Sequence, residues 1–368
     1  MTSKLFSPLS IGPVPLANRV TIAAMCQYSA NEGSMTDWHV QHLGNLALSG
    51  ASMLPIEATG VLPEGRITRW CTGLYSDENE AAMKRVVDFV RTISPIRIGV
   101  QLNHAGRKAS AHRPWEGRGP LAEQEGAWTT CAPSPLALAP GWPTPLALDR
   151  AGLERVKAAF ASAARRAARV GLDFVEVHST HGYLLSEFLS PLSNHRGDEY
   201  GGSLENRMRF PLEVFRGVRE AFPREKAVGA KISGTDFAPG GWTPEDAVVY
   251  ARELKALGCD YVTLSGGGVV LDAKVPVSPG YQVPYAQRVK REVGITTGSV
   301  GLIAGARQAE EIVASGKADF VALARGMLFD PRWPWHAALE LGADIKYPPQ
   351  YERASPKAWP GAESWMAE

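Results

Sequence analysis

The chain has 368 residues and carries 39 Lys and Arg against 38 Asp and Glu, so its formal net charge is +1. This balance argues against a protein that neutralises a nucleic-acid backbone, because such proteins show a marked basic excess. Hydrophobic residues make up 45% of the chain, and no apolar run reaches the roughly 18 residues of a membrane span. The first residues, MTSKLFSPLS, lack the apolar region of a signal peptide, which predicts a cytoplasmic protein.

Short apolar segments alternate with amphipathic segments along most of the chain. The predicted strands are 20–25, 52–58, 96–102, 173–178, 227–232, 260–265, 295–300 and 319–323. The predicted helices are 37–49, 78–92, 150–170, 205–221, 244–257, 283–292, 306–315 and 332–341. Eight such repeats predict an α/β fold, a (β/α)8 TIM barrel forming a single domain over residues 1–368. A doubly wound open sheet is the alternative, disfavoured because no G-x-G-x-x-G follows the first strand.

Two segments interrupt the repeat. Residues 103–148 are rich in Gly, Pro and Trp and follow the third strand, so they predict a lid insertion over the active-site face. Residues 345–368 show no periodicity but contain several aromatic residues. They predict a C-terminal tail that docks on this subunit or on a neighbouring one.

The four cysteines are scattered along the chain. Cys26, Cys71, Cys131 and Cys259 form neither a C-x-x-C motif nor a cluster with histidines. This spacing excludes a zinc ribbon and an iron–sulfur cluster, which need grouped ligands. We therefore expect free thiols and no metal site.

The reactive groups of a TIM barrel lie at the C-terminal ends of its strands. Polar residues found there include Gln101, His178 and Lys231. The loops after strands seven and eight, which commonly bind phosphate, read TGSVG (297–301) and ARG (324–326). The pattern fits a phosphorylated organic cofactor such as FMN about as well as it fits a phosphorylated substrate.

One long motif narrows the choice. His178-Ser-Thr-His181-Gly-Tyr183-Leu-Leu and the following EFLSPLSNHRGDEYGGSLENRMRF resemble the old yellow enzyme family of FMN-dependent ene-reductases. PLANRV (15–20), EGRIT (64–68) and QLNHAGRKAS (101–110) extend the resemblance over nearly the whole chain. RKASAHRPWEG (107–117) and the late QYER (350–353) are similar to the compact bacterial branch, which includes thermophilic-like enzymes and xenobiotic reductases.

The resemblance implies a specific reaction. One non-covalent FMN is reduced by NADPH or NADH and then reduces an activated C=C bond of an enone, enal, maleimide or nitroalkene. Hydride passes from N5 of the reduced flavin to the β carbon, and Tyr183 gives a proton to the α carbon. His178 and His181 donate hydrogen bonds to the substrate oxygen, where negative charge develops.

The resemblance also implies an assembly. Tyr28 lines the substrate pocket beside the two histidines and Tyr183. Arg353, in the tail, reaches the substrate pocket of a neighbouring subunit. The family therefore points to a homodimer or a tetramer of dimers that acts on small molecules, with no nucleic-acid or membrane partner.

The same resemblance assigns the flavin contacts. Gln101 faces the pyrimidine edge, Lys231 faces N1 and O2, the backbone N–H of Gly60 faces the ring, and Arg325 binds the phosphate. The full predicted set is Ala23, Ala24, Met25, Cys26, Gly60, Gln101, Lys231, Gly298, Ser299, Val300, Gly301, Ala324 and Arg325.

This sequence departs from the family at four places within that set. Lys231 replaces the usual Arg, which keeps the charge but loses the bidentate fork. The other departures are Ala23-Ala24, Gly60 and Ala324, where the family usually has Ser-Pro or Pro-Pro, Ala and Gly. None of them removes a reacting group.

Two other functions remain open at this stage. One is a flavin-binding redox sensor that reports through Cys26, which the intact set of two histidines and Tyr183 disfavours. The other is a flavin enzyme acting on RNA, like the dihydrouridine synthases, which the neutral charge disfavours.

Overall fold

Eight parallel strands form a closed barrel in which each strand pairs with its neighbours in the sequence. The computed structural model describes residues 3–362. The barrel strands are β1 Val20–Ile22, β2 Met53–Gly60, β3 Arg97–Asn103, β4 Phe174–Ser179, β5 Ala227–Ser233, β6 Tyr261–Ser265, β7 Thr296–Ser299 and β8 Phe320–Leu323. The predicted TIM barrel is confirmed and the open sheet is wrong.

The eight predicted helices surround this barrel. They are α1 Asp37–Ala47, α2 Asp77–Ile93, α3 Arg150–Val170, α4 Leu204–Ala221, α5 Pro244–Ala256, α6 Val283–Val293, α7 Ala306–Ala314 and α8 Trp333–Glu340. Local signals set their ends. The Asp149 side chain accepts a hydrogen bond from the Gly152 N–H at the start of α3, and Gly171 ends that helix with φ of 90°.

A hairpin of Leu9–Ile11 and Val14–Leu16 closes the N-terminal end of the barrel. Its apolar side chains pack against Phe174, Tyr261 and Phe320 from the starts of three barrel strands. The sequence analysis missed this hairpin because each strand has only three residues, too few to show a period. The barrel therefore opens to ligands at its C-terminal end.

Three aspartates, the basal aspartates, repeat at that N-terminal end, one immediately before each of β4, β6 and β8. Each accepts a hydrogen bond from the backbone N–H of a residue in the preceding strand. These pairs are Asp173 with Ile98 (2.8 Å), Asp260 with Val228 (2.8 Å) and Asp319 with Thr297 (2.9 Å). Each also pairs with a cation near the end of the helix that leads into that preceding strand: Arg91 of α2, Arg219 of α4 and Lys290 of α6 respectively. Before β2, Ser52 takes the equivalent place and accepts from the Asn18 N–H.

Several segments lie outside the eight repeats. The 103–148 segment contains 3₁₀ turns, and its strand Cys131–Ala132 pairs with Leu146–Ala147. Short helices, Leu184–Leu189 and Arg325–Phe329, follow β4 and β8.

In the C-terminal tail, Tyr347 and Tyr351 pack against Trp335 of α8, with ring centroids 4.6 and 6.1 Å apart. Residues 363–368 of the predicted tail lie outside the described residues. No helix within 3–362 has the length and hydropathy to cross a membrane.

Candidate active site

Two histidines and a tyrosine meet at the C-terminal end of β4. His178 is on the strand, and its ring centroid lies 5.2 Å from that of His181 and 5.0 Å from that of Tyr183. The chain turns sharply between them, with φ of 64° at His181 and 69° at Gly182. A Cβ atom on Gly182 would lie 2.0 Å from the Gly268 carbonyl oxygen, so the turn requires glycine. The structure thus brings these three predicted residues together.

His178 is the least satisfied polar group of the cluster. Only 3% of the residue is exposed, and neither ring nitrogen has a hydrogen-bond partner within residues 3–362. Burial, followed by the nearby Lys231 and Lys108 charges, holds the pKa of His178 well below its ordinary value. The ring is therefore neutral and carries one N–H to donate. A buried donor without a partner costs free energy, which marks this place as a ligand site.

His181 is fixed from the opposite wall. Its Nε2 lies 2.7 Å from the Ser265 Oγ at the end of β6. Burial again holds the pKa of the imidazole well below its ordinary value, and Lys231 adds to the shift. His181 therefore joins His178 as a neutral, oriented imidazole.

Tyr183 lies beside a lysine that the sequence analysis did not select. The Lys108 ammonium lies 5.2 Å from the centre of the Tyr183 ring and donates to the carbonyl oxygens of His181 (2.8 Å) and Gly268 (3.0 Å). Burial lowers the pKa of Lys108 to about 8, against the raising effect of Glu187. Burial also raises the pKa of Tyr183 well above its ordinary value, so the phenol keeps its proton. The only sequence signal for Lys108 was its place in QLNHAGRKAS.

Four neighbouring strands, β3 to β6, supply the polar floor of the site. Glu176 accepts hydrogen bonds from the Gln101 Nε2 (2.7 Å) and from the Thr263 Oγ1 (3.2 Å). Lys231 is in register with His178 on one side and Thr263 on the other. It is buried, yet the part of the chain that the structure describes offers its ammonium no hydrogen bond or ion pair. An unpartnered buried cation fits an anionic ligand edge.

The loop after β1 forms a second wall. The Gln27 N–H donates to the Glu57 carboxylate (2.8 Å), which holds the loop between Cys26 and Tyr28. Tyr28 has φ of 51° and meets Trp115 of the 103–148 segment edge-on, at 5.8 Å between ring centroids. Burial keeps the pKa of the Cys26 thiol well above its ordinary value, so the sulfur is protonated. A protonated thiol is a poor nucleophile and oxidises slowly.

Small residues lie at the ends of β7 and β8. A Cβ atom on Gly298 would meet the Phe320 ring at 2.2 Å, and one on Gly301 would meet the Gln282 side chain at 2.7 Å. Ser299 and Val300 lie between these glycines, and Ala324 precedes the exposed Arg325. Arg325 makes no ion pair with any residue in 3–362. The exposed Arg325, without an ion pair, is the feature here that fits a phosphate group.

Two predicted residues contribute no free polar group to the site formed by this chain. The Gly60 N–H donates to the Thr72 carbonyl oxygen (2.9 Å), so the donor that the prediction assigns to the flavin already has a partner. A strand-edge hydrogen bond has taken the donor that sequence reasoning assumed to be free. Arg353 is exposed in the 3₁₀ turn Pro349–Ala354, outside the cluster formed by its own chain.

The barrel, its free cations and its neutral histidines together form a site that fits a phosphorylated cofactor. No three His, Cys, Asp or Glu side chains within 3–362 are grouped to hold a metal ion. Residues 4–343 match the NADH:flavin oxidoreductase / NADH oxidase family. The chain belongs to this family, which confirms the predicted resemblance to old yellow enzymes, and it is an FMN-dependent oxidoreductase that uses a nicotinamide reductant.

Individual relatives support the family assignment. The chain is 42% identical over 355 residues to an NADPH dehydrogenase of Geobacillus thermodenitrificans (strain NG80-2), covering 96% of this chain and 99% of that one. It superposes on morphinone reductase with a TM-score of 0.77 at 27% identity, covering 95% of this chain and 93% of the other. Morphinone reductase in complex with tetrahydroNAD gives a TM-score of 0.76 at 28% identity, with coverages of 94% and 93%.

Proposed function

We propose that this protein is an NAD(P)H-dependent ene-reductase that reduces activated C=C bonds in enones, enals, maleimides and nitroalkenes. The observation that carries the proposal is His178, a buried neutral imidazole without a partner, beside His181 and Tyr183. The oxygen of the substrate's carbonyl or nitro group would accept hydrogen bonds from both imidazoles. The two N–H groups would be fixed before the charge on that oxygen develops, so they would stabilise the transition state.

The residues on the floor and at the phosphate end fit FMN. Gln101 and Lys231 would hold the polar edge of the ring, with Ala23, Ala24, Met25 and Cys26 beside it. Gly298, Ser299, Val300, Gly301, Ala324 and Arg325 would hold the phosphate. FMN that has been reduced by the nicotinamide would supply the hydride.

Tyr183 would supply the proton. Its phenol stays protonated in the buried site, so the proton is present when the α carbon becomes basic. Loss of the proton leaves negative charge on the phenol, and the Lys108 ammonium beside the ring would stabilise that charge. Tyr28 and Trp115 form an aromatic wall that would contact the rest of the alkene.

We infer that NADPH or NADH enters through the same opening as the alkene. We also infer a cytoplasmic homodimer or tetramer of dimers, in which Arg353 lies near the site of the next subunit. Its exposure on this chain supports that arrangement.

An anaerobic titration of the FMN-loaded protein tests the proposal. NADPH is added first and 2-cyclohexenone second, while the flavin absorbance is followed. We expect bleaching with NADPH and recovery with the alkene. In Y183F, bleaching should persist and recovery should slow, because only the second step needs the proton. Bleaching without recovery for every alkene tested would contradict the proposal and favour the redox sensor.

A further inference from the structure

Glu176 is a buried carboxylate to which the proposed reaction gives no role. It lies inside the barrel on β4, and only 4% of the residue is exposed. One of its oxygens accepts from the Gln101 Nε2 at 2.7 Å and the other accepts from the Thr263 Oγ1 at 3.2 Å. It therefore joins β3 and β6 through hydrogen bonds on the floor of the site.

The chemistry of the carboxylate fixes the orientation of the Gln101 amide. An ionised carboxylate only accepts hydrogen bonds, so it must face the NH₂ end of the amide and never its oxygen. One amide hydrogen of Gln101 is thereby committed to Glu176. Its carbonyl oxygen and its second amide hydrogen are left for the ligand, in a fixed order. A neutral partner at position 176 would not enforce this order, because a hydroxyl or an amide both donates and accepts.

The same carboxylate lies near Lys231. Burial lowers the pKa of Lys231, and among its neighbours Glu176 exerts the largest opposing effect. The nearby histidines are neutral, so Glu176 supplies the compensating negative charge on this floor. Lys231 still makes no ion pair within the described residues, which leaves its ammonium available to an anionic edge.

We propose that Glu176 is a positioning residue for the flavin, which orients the Gln101 amide and compensates the Lys231 charge at the polar edge of the cofactor. This inference rests on the proposed cofactor site. It differs from a purely structural role for Glu176, in which the carboxylate only stabilises the barrel. A structural role would change the stability of the protein without acting through Gln101.

A double-mutant cycle on FMN affinity separates the two roles. FMN dissociation constants are measured for the wild type, E176Q, Q101A and the double variant. We expect E176Q to weaken FMN binding by about 10-fold, since one charge-assisted hydrogen bond no longer fixes the amide. In the Q101A background the same substitution should have little further effect. Additive losses in the double variant would overturn the proposal.

The flavin midpoint potential gives a second readout. E176Q should shift the flavin midpoint potential to a more positive value. The reason is that the reduced flavin, which carries more negative charge, would lose a neighbouring negative group. An unchanged or more negative potential would contradict the assigned charge role.

Controls keep the result interpretable. D236N removes another buried carboxylate, bonded to Ser190 and Trp242, and should leave FMN affinity and potential unchanged. If E176Q fails to fold, T263V is used in its place. It retains the Glu176 charge but removes the hydrogen bond that Thr263 donates to one of the carboxylate oxygens, and it should weaken FMN binding by a smaller factor. Neither readout uses an alkene. A wild-type protein that binds FMN but reduces no alkene would therefore overturn the proposed function without deciding this inference.

Discussion

The two ends of the barrel treat buried polar groups in opposite ways. At the N-terminal end, each basal aspartate has both a backbone N–H and a cation as partners. At the C-terminal end, His178 and Lys231 are buried with no partner in residues 3–362. The difference separates two tasks, since satisfied groups stabilise a barrel and unsatisfied groups bind what enters it.

H178L should give the largest loss of activity with no loss of stability. The leucine removes a donor to the substrate oxygen, so the alkene-dependent reoxidation of the flavin should slow by about 10²- to 10³-fold. Flavin reduction by NADPH should change much less. Thermal unfolding should occur at the same or a higher temperature, because a buried unpartnered group is lost. Stopped-flow absorbance and calorimetry measure the two effects, and a large loss of stability with normal reoxidation would reverse the comparison.

The opposite pattern is expected for D260A at the other end. The substitution leaves the Val228 N–H and the Arg219 guanidinium without their carboxylate, which should lower the free energy of unfolding by about 2 kcal/mol. Activity per folded molecule should stay unchanged. Urea unfolding measures the loss. D88A, which breaks an exposed ion pair with Lys84, is the control and should change stability by less than about 0.5 kcal/mol.

A smaller effect should follow pH. Lys108 has its pKa lowered to about 8, so its charge beside Tyr183 is present below that pH and lost above it. The rate of alkene-dependent reoxidation should fall several-fold as pH rises through about 8. Glu187 lies nearby with its pKa raised to about 8, and the two groups are coupled. K108M should remove this step from the pH profile, and an identical profile in K108M would assign the step elsewhere.

The smallest effect concerns the aromatic wall. Trp115 is 63% exposed and touches Tyr28 only edge-on. W115A should therefore raise the KM of a bulky enone by about 2- to 5-fold while leaving kcat nearly unchanged. W38A removes another exposed tryptophan, on α1, and serves as the control. Equal effects of both substitutions would show that Trp115 does not contact the substrate.

Sequence reasoning reached most of the fold because the barrel signals are local. Asp149 and Gly171 mark the two ends of α3, and the apolar strands between helices need no knowledge of distant residues. Helices shorter than about two turns escaped, such as Leu184–Leu189, because a few residues cannot display a helical period.

The site was only partly accessible for the same reason. His178, His181 and Tyr183 lie within one short motif, so their proximity follows from sequence. Lys108 and Glu176 act through contacts made 73 and 87 residues away, to the carbonyl oxygen of His181 and the hydroxyl of Thr263, and no spacing rule connects those positions. The partner of the Gly60 N–H was not foreseen because hydrogen bonds along a strand edge depend on the neighbouring loop.

The basal aspartates also divide the barrel strands into pairs. Each one joins a strand to the next, and Ser52 does the same for the first two strands. The barrel therefore consists of four pairs of adjacent strands, each pair joined by one of these side-chain hydrogen bonds. These four hydrogen bonds lie within the strand pairs, and none of them joins one pair to the next. A chain cut after the second strand pair, beyond β4 and its following loop, therefore leaves all four of these hydrogen bonds intact. Such halves are natural starting points for fragment complementation or for exchange between related barrels.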